Sequence, residues 1–393
     1  MALCFLLGSD AIFHYRMAFS FKNILGNITT QNESVLGIDI GASAIKLVQL
    51  KKKSGRVVLE TYGEIALGPY AGIELGRATN LPIDRIKEAL SDLIREANVT
   101  SKSVALSIPL SASLIRFVEM PDVGEKRMGE MIPIEARRYI PVPISEVSLD
   151  WWIVPKKEDR FQSPGEKKPD QKLGEENVKK VDVLLVAILN DALAKNRTIC
   201  QELNFENPTF EIEIFSTTRA VLDQGIEPVM IFDMGAGTTK LYLVEHGIVK
   251  DSHIINRGSQ EITLALAKSL GVPVARAEEL KRTIGLSTDP ANRAINETIV
   301  LSLDYIFADS NQVLLSFEQR YNKTISKVIL SGGGAVMRGF AEAAKVHFQA
   351  EVFSADPFAK TLTPAFLAPT LKIVGPEFAV AVGLALHKLN QQN

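Results

Sequence analysis

The chain has 393 residues, 46% of them hydrophobic and 23% charged, with 44 Lys and Arg against 46 Asp and Glu. That length suits two domains of ordinary size or one large two-lobed body. A net charge of −2 offers no basic stripe to a phosphate backbone and excludes a general nucleic-acid binder. Two cysteines, Cys4 and Cys200, exclude a disulfide framework and a thiolate metal cluster. The histidines fall at no ligand spacing, and a reducing cytosolic compartment fits best.

At the start, Ala2 to Leu7 is apolar but short, and Gly8-Ser9-Asp10 interrupts it. It falls well below the ~18 apolar residues of a membrane span. Met17 opens a second beginning, a short amphipathic piece from Met17 to Leu25, followed by a polar tether. Residues 1–33 therefore read as an N-terminal extension with the start near residue 17. The rival reading is a membrane-surface anchor helix.

Val35 to Leu50 reads as an apolar strand, a glycine turn and a second strand. Val229 to Val244 reads the same way, with Asp39 aligned on Asp233, Gly41 on Gly235, Ala42 on Ala236 and Lys46 on Lys240. A strand-turn-strand that recurs so far downstream implies two related lobes facing one another. A glycine directly after a strand lets the backbone approach an anion, and successive N–H groups make a nest for phosphate. An aspartate just before that glycine can hold Mg²⁺ through water. Two such turns would clamp a triphosphate from both sides, whereas one alone would be ordinary turn chemistry.

Between the hairpins, Val104 to Met120 reads as strand and Arg127 to Tyr139 as a helix interrupted near Pro133. Leu149 to Val154, with Trp151 and Trp152, reads as another strand. Lys156 to Lys180 carries 14 charged residues in 25 and reads as a disordered surface loop. Val181 to Leu189 is an apolar strand, with Asp191 as the cap of the next helix. Farther on, Lys327 to Phe340 runs from a buried-type strand through Gly332, Gly333 and Gly334 into a helix. That would offer a side-chain-free surface at a helix N-terminus, suited to a purine and its α-phosphate. Neither G-x4-G-K-[ST] nor G-x-G-x-x-G occurs, so P-loop and Rossmann readings fall away.

Asp-x-Gly, Asp-x-Gly-x-Gly-Thr and Gly-Gly-Gly-Ala in this order resemble the two phosphate motifs and the adenosine motif of the actin-like ATPase superfamily. Within it, three segments are similar to the PilM family, the FtsA-like assembly proteins of type IV pili. They are Val35–Leu50, Ile134–Pro141 with Val147–Asp150, and Pro376–Leu386. The likeness covers residues 34–388. It implies an α/β, two-lobed actin-like ATPase fold of duplicated RNase H-like domains, with a small α/β subdomain inserted in the first lobe. The lobes would span residues 34–225 and 226–393, with the insert at about 118–200.

The resemblance also implies roles. Asp39 and Asp233 would organise Mg²⁺ through water, and Glu213 would orient an attacking water. Gly41, Ala42 and Ser43, with Gly235, Gly237 and Thr238, would face the β- and γ-phosphates of ATP. Ala42 stands where many relatives carry a hydroxyl residue, so Ser43 would substitute. Lys46 would contact phosphate or else be a solvated strand lysine. Glu278 and Lys281, three apart on one helix face, would reach ribose and adenine beside Gly332, Gly333 and Gly334. The implied function is a cytoplasmic ATP-binding scaffold, at most a slow ATPase, peripheral to the inner membrane. Its partner would be the cytoplasmic N-terminal peptide of a PilN-like membrane protein, with self-association left open. The alternatives are an FtsA-like cell-division scaffold and, from another class, a small-molecule kinase of the same superfold.

Overall fold

The computed structural model describes residues 34–154, 180–223, 225 and 227–391. The expected N-terminal extension and nearly all of the charged loop therefore lie outside the described residues. The chain divides into two compact units, one of residues 110–194 and the other of the flanking segments.

The larger unit contains two five-stranded sheets of one design. In the first, β1 (Ser34–Ile40), β2 (Ala44–Lys53), β3 (Arg56–Ala66), β4 (Ser103–Ile108) and β8 (Glu206–Ile212) lie in the order β3-β2-β1-β4-β8. The second holds β9 (Val229–Met234), β10 (Thr239–Glu245), β11 (Ile248–Ile255), β12 (Lys327–Ser331) and β13 (Glu351–Ser354), in the order β11-β10-β9-β12-β13. In each, the first three strands form an antiparallel meander and the last two join it in parallel. The central strands are continuous apolar runs because both faces of each sheet are covered.

One face of the first sheet packs Leu36, Ile38, Leu47 and Leu106 against α1 (Ile83–Glu96) and the end of α3 (Asn190–Glu202). The amphipathic spacing of Ile86, Ala89, Leu90 and Leu93 explains α1. The opposite face packs Val35, Val48 and Leu50 against α10 (Ala379–Gln391), which also crosses α4 (Glu213–Val221). The crossing is backbone on backbone. A Cβ on Gly383 would overlap the Ser216 carbonyl, so only glycine fits there. The second sheet rests on α5 (Ser259–Leu270), α6 (Val274–Thr283), α7 (Arg293–Tyr321) and α8 (Phe340–His347), around Phe232, Phe307, Phe340 and Phe348.

The smaller unit is a three-stranded antiparallel sheet in the order β5-β7-β6, from β5 (Ser113–Pro121), β6 (Val147–Val154) and β7 (Lys180–Leu189). Helix α2 (Glu125–Ala136) covers one face through Met128, Ile132 and Ala136, against Val118, Val183, Leu185 and the half-buried Trp151.

Four local expectations are corrected. Val104 to Met120 is two strands, parted by a short turn at Leu110–Ala112. Helix α2 continues past Pro133, which costs it the amide bond to Gly129 without ending it. Asp191 is not a cap, because α3 already begins at Asn190; it places an acid in the first turn instead. The glycine run does not open a helix: α8 begins only at Phe340, and turns fill the interval from Ala335 to Gly339.

Candidate nucleotide cleft

The two hairpins superimpose in register as well as in sequence. Asp39 pairs across β1–β2 with Lys46, and Asp233 pairs across β9–β10 with Lys240. Each turn closes on its glycine, with the Gly41 amide donating to the Ala44 carbonyl at 3.0 Å and the Gly235 amide to the Thr238 carbonyl at 2.9 Å. Neighbouring segments fix the turn carbonyls. Thr79 donates to Ala42 and Leu67 to Ser43, both at 2.8 Å, while Ser259 donates to Gly235 and Gln260 to Ala236, both at 2.9 Å. The amides of Ala42, Ser43, Ala236, Gly237 and Thr238 carry no acceptor among the described residues.

Both hairpins open into one cavity of about 690 Å³ in the larger unit. Every residue the sequence singled out lines it: Asp39, Gly41, Ala42, Ser43, Lys46, Glu213, Asp233, Gly235, Gly237, Thr238, Glu278, Lys281 and the three glycines at 332–334.

The floor is a charge cluster. The Ser107 hydroxyl donates to Asp39 Oδ1 at 2.8 Å, and the Tyr242 hydroxyl donates to Asp233 Oδ2 at 3.1 Å. Burial pushes both carboxyls above the ordinary aspartate value, and the nearby charge of Glu213 adds to the shift. Glu213 opens α4 and is 5% exposed, so it is no solvated surface glutamate. Its Oε2 lies 2.6 Å from Lys240 Nζ. Burial alone would lower the Lys240 ammonium, but the Glu213 and Asp233 carboxylates hold it above the lysine value.

Lys46 is 3.4 Å from Glu64 and is not a solvated strand lysine. Burial works against its charge, but Glu64, Glu377 and Asp39 raise it overall. Glu377, just before α10, is pushed up to about 7, chiefly by burial, with Glu64 adding repulsion and a hydrogen bond. Sequence reasoning had missed Glu64, Glu377 and Lys240 as site residues. The offset shared with Lys46 could have found Lys240, whereas no local pattern marks Glu64 or Glu377.

Two of the three glycines answer to packing. Gly332 has φ +84°, and a Cβ there would overlap Asp233 Oδ1. A Cβ on Gly334 would press into the Met234 side chain. Gly333 meets nothing closer than Glu377, at 3.5 Å. Across the cavity, Glu278 and Lys281 share a helix face as expected and bind each other at 2.6 Å. Thr263 also donates to Glu278, at 2.6 Å, and Arg282 lies 2.7 Å away. Burial would raise Glu278, but Lys281 and these donors hold it below the usual glutamate range.

This donor set fits a magnesium polyphosphate. Five amides with no acceptor among the described residues belong to turn residues that line the cavity, two in the first hairpin and three in the second. Two buried carboxyls resist ionisation and would gain from a divalent cation. Among the described residues no three His, Cys, Asp or Glu side chains gather closely enough to hold a metal directly. A cation here would rest on water and phosphate oxygens.

A duplicated five-stranded sheet whose halves each send an aspartate-ended hairpin into one cavity defines the actin-like ATPase fold. The model of the family described as Type IV pilus assembly protein PilM matches residues 37–389, and the chain belongs to that family. A solved PilM–PilN type IV pilus biogenesis complex is similar, with a TM-score of 0.73 at 24% identity, over 90% of this chain and 98% of the other. The ethanolamine utilization protein EutJ of Carboxydothermus hydrogenoformans shares the fold at TM-score 0.50 and 17% identity, over 93% and 91%. Cell division protein FtsA of Borreliella burgdorferi is 27% identical over 42% of this chain, and the match spans less than half of that relative, 43%.

Proposed function

We propose that this pilus-assembly scaffold binds Mg-ATP in its cleft and recruits the cytoplasmic N-terminal peptide of a PilN-like inner-membrane protein. It thereby works at the cytoplasmic face of that membrane. The observation that carries the nucleotide reading is the pair of hairpins whose amides at Ala42, Ser43, Ala236, Gly237 and Thr238 have no acceptor among the described residues, opening into one cavity with Asp39 and Asp233.

Bound magnesium would supply the positive charge that lets the phosphates sit against buried carboxylates. The chain's own residues do the rest. Asp39 and Asp233 accept from the water shell of the cation, and the two turns donate N–H groups to phosphate oxygens. Lys240 and Lys46 balance the charge of the floor. Glu213 stands where it can hold a water, although its tie to Lys240 favours slow turnover and a regulatory use of the nucleotide. Gly333 leaves room for the base, and Glu278 with Lys281 faces the sugar side. Nucleotide that touches both sheets would bias the cleft toward closure.

Family membership and the likeness to a PilM–PilN complex support the partner reading. The small unit of residues 110–194, inserted within the chain, is the part we assign to partner choice.

Thermal unfolding of the full chain with and without Mg-ATP tests the first half. At ligand concentrations of roughly a hundred Kd, linkage predicts a gain of about 2.7 kcal/mol. Fluorescence anisotropy with the N-terminal peptide of the PilN-like protein from the same organism tests the second. Absence of both effects would defeat the proposal. Saturable phosphorylation of a sugar or acid would replace it with a kinase.

A further inference from the structure

A second surface lies away from the cleft, where the first sheet meets the segment after β13. Ser34 pairs with Lys51, Lys51 with Val58, and Val58 bridges to Leu362, so one row crosses the sheet from the first described residue to this segment. The Leu362 amide donates to the Val57 carbonyl at 2.7 Å, and its carbonyl accepts from Leu59 at 3.0 Å.

Beyond Leu362 the chain is two-sided. Leu367, Leu371 and Val374 pack into the core with Leu59, Phe358 and Phe378. Phe366 and Ile373 point outward, 80% and 69% exposed, with Leu362 at 45%. Phe366 lies in the turn just before α9 (Ala368–Val374) and Ile373 in the last turn of that short helix. Two large exposed apolar side chains so close in the chain, with Leu367, Leu371 and Val374 packed inward between and beside them, make a surface and not a packing defect.

The charge around the patch is mainly positive, and the exposed acid beside it, Glu60, is paired with Lys51 at 3.8 Å. No acidic residue occurs from Lys51 to Leu59 or from Thr361 to Val374. The β2–β3 turn, Lys53-Ser54-Gly55-Arg56, is exposed, as is Lys372. Among the described residues no carboxylate lies within ion-pair distance of Lys53, Arg56 or Lys372. Arg56 is two residues from Val58, ~7 Å along the strand.

We propose that this edge is a direct docking face for an anionic lipid bilayer, with Phe366 and Ile373 entering the headgroup region and Lys53, Arg56 and Lys372 meeting lipid phosphates. Apolar side chains set among unopposed cations match the surface of such a membrane, where neither signal alone gives stable binding. None of these residues lines the nucleotide cleft. It would hold the scaffold against the membrane that carries its partner.

Co-sedimentation of the full chain with vesicles of phosphatidylcholine and phosphatidylglycerol tests it, with pure phosphatidylcholine vesicles beside them. Binding should appear only with the anionic lipid and weaken with salt. The K53Q/R56Q double variant should bind roughly 30-fold more weakly, at about one kcal/mol per cation. The F366S/I373S variant should bind at least about tenfold more weakly. All four side chains are exposed, so both variants should keep the wild-type thermal midpoint. The proposal fails if the wild type ignores anionic vesicles, or if both double variants bind them unchanged. It fails equally if F366S/I373S only turns a dimer into a monomer, which would assign the patch to a second copy of the chain.

Discussion

Lys240 and Glu213 join the second hairpin to the first turn of α4 by an ion pair of 2.6 Å. Both members act on Asp39 and Asp233: the Glu213 charge pushes each carboxyl upward and the Lys240 charge pulls each down. Lys240 is therefore the counter-charge that makes a triple-carboxylate floor tolerable. Replacing it with Met should cost about 3–5 kcal/mol of unfolding free energy, the usual penalty for removing one partner of a buried pair. Adding Glu213→Gln to Lys240→Met should restore most of the loss. Urea unfolding of the two single variants and the double variant measures this coupling.

Asp39 predicts a trade of stability against function. Its folded pKa lies above the ordinary value because burial and Glu213 disfavour the charged form. Such a group stabilises the fold at acid pH, and that contribution is lost as pH rises through the folded pKa. At neutral pH the neutral isostere should therefore be more stable. Asp39→Asn should raise the thermal midpoint of the ligand-free protein by a few degrees and remove its response to Mg-ATP.

Glu377 gives a pH dependence with a definite sign. Its folded pKa of about 7 exceeds the ordinary 4.5. Between those values the folded state holds a proton that the unfolded chain has released, so stability falls as pH rises and levels off above about pH 7. Glu377→Gln removes this slope. The variant should gain on the order of 2–3 kcal/mol relative to wild type between pH 4.5 and pH 8, at ~1.4 kcal/mol per pKa unit. Chemical unfolding at both pH values reads the difference.

Two helical glycines should respond oppositely to alanine. Gly383→Ala would drive a methyl into the Ser216 carbonyl at the crossing of α4 and α10 and should cost about 3 kcal/mol or more. Gly129→Ala, in α2, meets nothing within 4 Å and should gain about 0.5–1 kcal/mol from helix propensity. Thermal unfolding of both variants separates close packing from flexibility.

Much of this was legible in the chain. The repeat of Asp, Gly and Lys at common offsets sufficed for the duplicated sheet, because strand register and hairpin turns are local properties. It also marked the two turns that line the cleft. The rest depended on distant segments. Glu64 and Glu377 are far apart in sequence and meet only because β3 and the turn just before α10 converge on Lys46. The glycine run was read as the mouth of a helix. In the structure, Gly332 and Gly334 are glycines because β9 presses against them. A backbone contact of that kind leaves no periodic trace. The row from Ser34 to Leu362 was equally hidden, since its members come from four separate segments.

The central claim is that two hairpins clamp one nucleotide, and titration calorimetry of Mg-ATP into the full chain tests it most directly. Asp39→Ala and Asp233→Ala belong beside the wild type, because each removes one half of the clamp. Micromolar binding in the wild type, lost in both variants, is the predicted result. Absence of wild-type binding, or binding that survives either substitution unchanged, would contradict the clamp and leave the chain as a peptide-docking scaffold.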